Sequence, residues 1–480
     1  MLVRSALVVS VMTVLPATAW ADTDTETRIR QLEALVREMQ QQRAEQDKQI
    51  DVLTRELVAI EHEVTQARTS KSEEQAGSEG KEKHSGAPVY ASFKDGLVFD
   101  DGSGNWKLQI NGRVQADYRA YDPSEWRDDG FTIRRARFGG TFTFLKDFAV
   151  RVEGEYANDN TGAKSTTAMT YAYLDYTRWK AAKLRVGQFK PFFGLERTYS
   201  TNFTDFIELS LATNNGSIFN STYDRGVMVH GDPLPWFNYN AYVVNGSGQN
   251  NDDKNDGKDL GGRINANFAQ LAGLRDTVIH IGASASKGDV GKTSLTQVTD
   301  GNGAQFFSVT GLDERADRGR WGVESALAYG ALKLQAEYIN ANFEGKKGGT
   351  AFDRDIKAWY ADVNWLVTGE SWADAYKSGV FGRIKPKHDF DDKDGWGAVE
   401  LGLRYSRYDG SEFRDLLASA TANASEASAW TVGAKWILNP NARVLLNYVY
   451  TDFDQPTQLT INGRTEDKEQ AILLRGQYDF

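Results

Sequence analysis

The chain of 480 residues contains no cysteine. That one absence removes a disulfide framework, a thiolate metal site and a cysteine nucleophile together. Histidine is almost as scarce: of the 5 present, His62 and His84 fall in the polar N-terminal part. Few candidates remain for a Ser/His pair or a multi-histidine zinc site. A positive balance is missing too. The net charge of −10 argues against a nucleic-acid partner, because phosphate binding by a whole domain needs an excess of Lys and Arg. Beyond the N-terminus no apolar run approaches the ~18–20 residues of a spanning helix, and mean hydropathy is −0.53. Glycine (45) and aromatic residues (12%) are what the chain does have. That combination leaves one membrane class open, the β-barrel, whose alternating strands never register as hydropathy peaks.

Acidic runs at 252–257 and 391–395 resemble calcium loops only in composition. With Gly257 or Gly395 at the sixth loop position, Arg263 or Leu401 stands where a glutamate is required. They read as solvated loop tips. Neither a metal nor a cofactor is expected, and no enzymatic constellation emerges.

Residues 1–21 carry Arg4, an apolar run from Ala6 to Leu15 and a small-x-small end, Ala19-Trp20-Ala21. This is the pattern of a secretory signal peptide. From Thr27 a heptad begins. Its a positions are Ile29, Val36, Arg43, Ile50, Leu57 and Val64, and its d positions Leu32, Met39, Gln46, Leu53, Ile60 and Ala67. Two positions per heptad make a narrower seam than a globular core requires, so residues 22–67 predict an α-helical coiled-coil stalk. Residues 68–88 are Ser, Gly, Glu and Lys with no large apolar side chain but the last proline, a flexible linker.

Residues 89–480 alternate. In Trp106 to Tyr121, Leu108, Ile110, Val114, Ala116 and Tyr118 share one face, and Lys107, Gln109, Arg113, Asp117 and Arg119 share the other. A period of two means a strand between two media. The pattern recurs from FTIRRARFGGTFTF and FAVRVEGEY to ARVLLNYVY and EQAILLRGQYDF, sixteen strands in all with the first, give or take two. Connections alternate as well: short at 146–147, 179–181, 232–235, 270–275, 330–331 and 439–441; long at 121–130, 157–168, 190–223, 246–259, 287–318, 344–354, 409–428 and 452–468. Up-and-down barrels of outer membranes have short turns at one end and long loops at the other. The connection 368–394 is long where a short turn is expected. A terminal Phe480 closes the last amphipathic strand, as in barrel assembly signals.

Hydrocarbon cannot take the charged face, so that face encloses water. Fifteen basic residues against seven acidic ones fall at inward parity, a surplus of eight in a chain of −10. Arg113, Arg119, Arg135, Arg137, Arg151, Arg185 and Arg404 are among them. Low-dielectric walls focus such a field, which favours anions. The planar guanidinium also suits bidentate contact with phosphate-like oxyanions. Some arginines should instead pair with wall carboxylates, Arg113 with Asp117 and Arg151 with Glu153 being the nearest candidates.

The runs FTIRRARFGGTFTFLKDFAVRVEGEY, AYLDYT, LRVGQFKPFFGLERTYSTNFTDFIE, WLVTGE, LRYSRYD, LNPNARVLLNYVY and LLRGQYDF resemble the phosphate-selective porin O and P family. That resemblance implies a homotrimer of sixteen-stranded barrels passing phosphate or polyphosphate along arginines, with loops from both sides folded inward. Segments 190–223, 287–318 and 368–394 are the candidates for those loops. It further implies Arg134, Arg135 and Arg137 as anion contacts, joined by Lys190 and Arg197 of the inward segment. Arg134 has lipid-facing parity, so its role requires a place near the strand end. The expected protein is a passive anion porin in the outer membrane of a Gram-negative bacterium, its stalk in the periplasm. Its partners would be phosphate-like inorganic anions, outer-membrane lipid and lipopolysaccharide, and further copies of itself. The alternative is a structural tether whose coiled coil contacts the cell wall, with only non-selective pore activity.

Overall fold

Alternating side chains become strands that face two media. Along the first long strand Arg113, Gln115, Asp117 and Arg119 are buried, whereas Val114, between the first two, is 49% exposed. Leu174, Val323, Leu334, Leu403, Val432 and Leu474 are exposed in the same way around the circumference. A contiguous apolar exterior of this kind belongs against lipid rather than water.

A computed structural model describes residues 88–124, 127–157, 167–253, 256–391, 393–419, 423–453, 459–461 and 464–480. The signal peptide and coiled coil expected before residue 68, and the linker up to residue 87, lie outside the described residues. The strands in chain order are β1 (Tyr90–Phe93), β2 (Leu97–Asp100), β3 (Trp106–Asp122), β4 (Gly130–Phe144), β5 (Phe148–Glu155), β6 (Ala168–Trp179), β7 (Ala182–Phe189), β8 (Asp224–Leu234), β9 (Phe237–Val244), β10 (Asp259–Asn267) and β11 (Thr277–Asp289). They continue as β12 (Leu295–Val298), β13 (Gln305–Val309), β14 (Asp317–Tyr329), β15 (Leu332–Lys347), β16 (Thr350–Leu366), β17 (Tyr376–Lys377), β18 (Val380–Phe381), β19 (Ala398–Asp409), β20 (Glu426–Ile437), β21 (Ala442–Phe453), β22 (Leu459–Ile461), β23 (Arg464–Glu466) and β24 (Lys468–Asp479).

Sixteen of them, β3 to β11, β14 to β16, β19 to β21 and β24, form one closed antiparallel barrel. It closes where β24 pairs β3, from Gln470 opposite Asp122 to Asp479 opposite Arg113. Below that seam β24 has run out. The edge of β3 from Lys107 to Ile110 is taken instead by β2, which pairs in turn with β1. The small hairpin thus covers backbone that would otherwise be an open sheet edge. Phe480 seals the junction by exchanging both backbone hydrogen bonds with Gly112, at 3.0 Å each.

The expected strand count and alternation of connections match this barrel, with one correction. Residues 344–354 are not a long loop. Strands β15 and β16 run on to Lys347 and Thr350, joined by Gly348-Gly349 with φ of 58° and 78°. Two adjacent left-handed residues make the tight hairpin whose twist matches paired strands, and glycine takes them without strain.

The bore is not empty. Segment 190–223, after β7, lies inside against the wall opposite β3–β7; its Ile207, Leu211 and Phe219 pack in one cluster with Phe306, Phe307, Tyr360 and Leu445. Phe306 and Phe307 belong to β13, so segment 287–318 also enters, from the long-loop end. The anomalous connection 368–394 comes from the short-turn end. Its Trp372 and Phe381 are buried with Leu195 and Tyr199 of the first segment. All three expected inward segments therefore supply side chains to the interior.

Candidate functional site

Strand β4 pairs Gln115 with Arg135, then Ala116 with Ile133, so Arg134 is an extra residue opposite nothing: a β-bulge. Bulges re-aim side chains. Phe131 and Ile133 on one side of it, and Phe138 on the other, face outward at 88%, 47% and 54% exposure, while Arg134 turns inward to Glu208. The sequence parity of Arg134 toward lipid is thereby corrected, without any need for it to sit at the strand end. Arg134, Arg135 and Arg137 all reach the interior from one short stretch.

They border two adjoining cavities between the β3–β7 wall and segment 190–223. The first, about 190 Å³, is lined by Asn111, Arg113, Arg137, Arg151, Glu153, Tyr171, Thr198 to Asn202 and Tyr223, with Phe480 near the short-turn end. The second, about 290 Å³, is lined by Arg127, Arg134, Arg135, Glu196, Arg197, Glu208, Asn214 and Asn215, and reaches Thr299 and Asn302 of segment 287–318. Lys190 and Thr201 line both.

Among the described residues, four of these cations have no carboxylate ion-pair partner. Arg113 donates to Thr201 Oγ1 at 2.6 Å and to Asn202 Oδ1, not to Asp117 as expected. Arg135 donates to the neutral Gln115 Oε1 at 2.8 Å. Lys190 donates to the Tyr199 carbonyl at 2.6 Å. Arg197 donates to the carbonyls of Thr213 (2.7 Å) and Ser221 (2.8 Å) and to Asn215 Oδ1 (3.1 Å), over the ring of Phe219. In the connection after β7, burial first, then Arg197, Arg137, Arg113 and Arg135, hold the Lys190 ammonium well below its ordinary range. Each added cation makes the next harder to charge, so this cluster is short of negative charge.

The remaining candidates are paired. Arg151 meets Glu153 at 2.8 Å, as expected, and its guanidinium lies 4.3 Å from the Tyr171 ring centre. Arg137 lies between Glu155 at 2.5 Å and Glu153 at 3.5 Å and donates to the Tyr223 hydroxyl at 2.7 Å. Arg119 is bound by Asp117 at 2.6 Å and by Glu208. Arg185 makes a two-pronged pair with Asp175, both arms 2.8 Å, against Tyr173. Arg404 is buried on the opposite wall between Glu196 (3.1 Å) and Asp300 (3.0 Å). Arg185 and Arg404 line neither cavity; they hold the wall and the inward segments.

Counting strand residues alone overstated the free positive charge. Glu196, Asp205, Glu208 and Asp300 arrive on inward loops, which have no strand period to reveal them, and each pairs with a wall cation. Thr201, Asn202, Asn214 and Asn215 were missed for the same reason. Tyr171 could have been found, since it shares inward parity with Asp175 on β6.

Porin O of Pseudomonas aeruginosa is 25% identical over 427 residues, 82% of this chain and 93% of its own length. An anion-selective porin from Comamonas acidovorans superimposes with a TM-score of 0.51 at 11% identity, covering 78% of this chain and all of that one. Together with the family match these point to an outer-membrane channel rather than an enzyme. The family model for phosphate-selective porin O and P matches residues 108–480, and the chain belongs to that family.

Proposed function

We propose that this porin passes phosphate-like oxyanions by passive diffusion through the two adjoining cavities. One observation carries the reading: Arg113, Arg135, Lys190 and Arg197 line that path with no carboxylate partner among the described residues. An anion entering from the long-loop end would trade part of its hydration for guanidinium and ammonium donors. It would then move between sites weak enough to release it. Arg134, Arg137 and Arg151 flank the unpaired set and can share their donors with a passing ion. The forked guanidinium favours oxyanions over spherical halides of equal charge, and the family description supports phosphate as the cargo.

The same reading has the barrel as a homotrimer in lipid and lipopolysaccharide, its long loops outside and its N-terminal coiled coil in the periplasm. Reversal potentials across planar bilayers under a potassium chloride gradient test it, with inorganic phosphate then titrated as a blocker of chloride current. Anion preference with block by phosphate is expected. A cation-preferring pore would sink the proposal.

A further inference from the structure

A guanidinium turned into a pore serves a passing anion only while its donors are open. Those of Arg134 are engaged: Nε meets Glu208 Oε1 at 2.9 Å and Nη2 meets Oε2 at 3.3 Å. The same carboxylate accepts from Arg119 and lies 3.7 Å from Arg475 Nη2. Arg119 and Arg475 have a second carboxylate of their own. Asp117 takes Arg119 Nη2 at 2.6 Å and Arg475 Nε at 2.7 Å. Asp117 sits behind them and borders neither cavity, whereas Glu208 forms part of the wall of the larger one.

The backbone under Glu208 is fixed. Arg404 donates to its carbonyl at 3.1 Å, Arg475 donates to the Ile207 carbonyl at 2.9 Å, and the Ile207 N–H donates to Asn447 at 2.7 Å. A two-oxygen anion is therefore tethered on the bulged arginine, beside the unpaired Arg135, where a mobile oxyanion would bind. Cations left wholly open would hold a divalent anion too firmly for conduction. A carboxylate nearby competes for the same donors and repels the ion.

Building on the pore reading, we propose that Glu208 is a built-in competing anion. It occupies Arg134 in the empty channel, yields it to an arriving oxyanion and reclaims it as the ion moves toward Arg135 and Lys190. Glu208 thus sets how long the ion dwells.

The test uses the full chain in planar bilayers with potassium phosphate. Glu208→Gln keeps the shape and removes the charge. Loss of one charge-assisted competitor should lower the half-saturating phosphate concentration about tenfold and reduce the saturated current. Glu208→Asp draws the carboxylate back from Arg134; it should shift the same way by a smaller factor, and carries the test if Glu208→Gln does not insert. An unchanged or raised half-saturation, in a channel that still prefers anions, overturns the proposal and leaves Glu208 as a mere anchor for Arg134. A cation-preferring unsubstituted channel overturns the pore reading and this one with it.

Discussion

Lys333 of β15 reaches Asp205 of the inward segment at 2.6 Å, with both side chains almost wholly buried. Its ammonium also lies 4.0 Å from the ring centre of Trp372 and 4.8 Å from that of Phe381. One wall cation therefore ties the segment entering after β7 to the connection 368–394 from the other end. A buried pair broken on one side strands the partner's charge, a loss of about 3–5 kcal/mol.

Lys333→Met should consequently loosen both inward segments while leaving the strands paired. Expected are a lower unfolding temperature and a larger, noisier single-channel current with weaker anion preference. A quiet current of unaltered size would show that the segments are held elsewhere.

Two neighbouring arginines should separate function from stability. Among the described residues Arg135 hydrogen-bonds only the neutral Gln115, so Arg135→Ala strands no charge there; it should cut anion-over-cation permeability with little change in thermal stability. Arg137 is shared by Glu153 and Glu155. Arg137→Ala leaves Glu155 to two backbone N–H groups, those of Ala136 and Ala157. It should lower both permeability ratio and unfolding temperature. Equal stability losses in the two variants would contradict this assignment.

Lys190 supplies a pH dependence. Its pKa lies well below the ordinary 10.5 because of burial and the neighbouring Arg197, Arg137, Arg113 and Arg135. A bound anion adds an opposite charge and raises it, so binding takes up a proton. Affinity should be greatest below that depressed pKa and fall as pH rises through it. Sulfate, which does not titrate in this window, is the suitable probe. Its half-saturating concentration should rise with pH as Lys190 loses its proton, at a pH well below the ordinary 10.5, and Lys190→Met should flatten the trend.

Removing residues 22–88 distinguishes a channel from a tether. Closure of the barrel depends on β3, β24 and Phe480, all downstream of the cut. Single-channel conductance and anion preference should persist. If envelope integrity fails in cells carrying the truncated chain while conductance holds, the N-terminal part has a separate role.

The barrel was legible in the amino-acid order because the pleat is local: successive side chains point to opposite faces whatever lies further along the chain. Val114 outside and Arg113 inside follow from that alone, as does the cationic character of the wall. The limit appears at Arg134, where one extra residue opposite Gln115 and Ala116 reverses the parity, and at 344–354, where glycines close a turn between lengthened strands. What only the closed structure decided is which charges remain open. Arg134 and Glu208 are 74 positions apart, Lys333 and Asp205 128, and Arg404 and Glu196 208. Such pairs form when aperiodic loops fold into the bore, and no periodicity along the chain encodes which carboxylate will meet which cation. The local alternation settled that the interior is charged; tertiary closure settled that, among the described residues lining the two cavities, Arg113, Arg135, Lys190 and Arg197 have no carboxylate ion-pair partner.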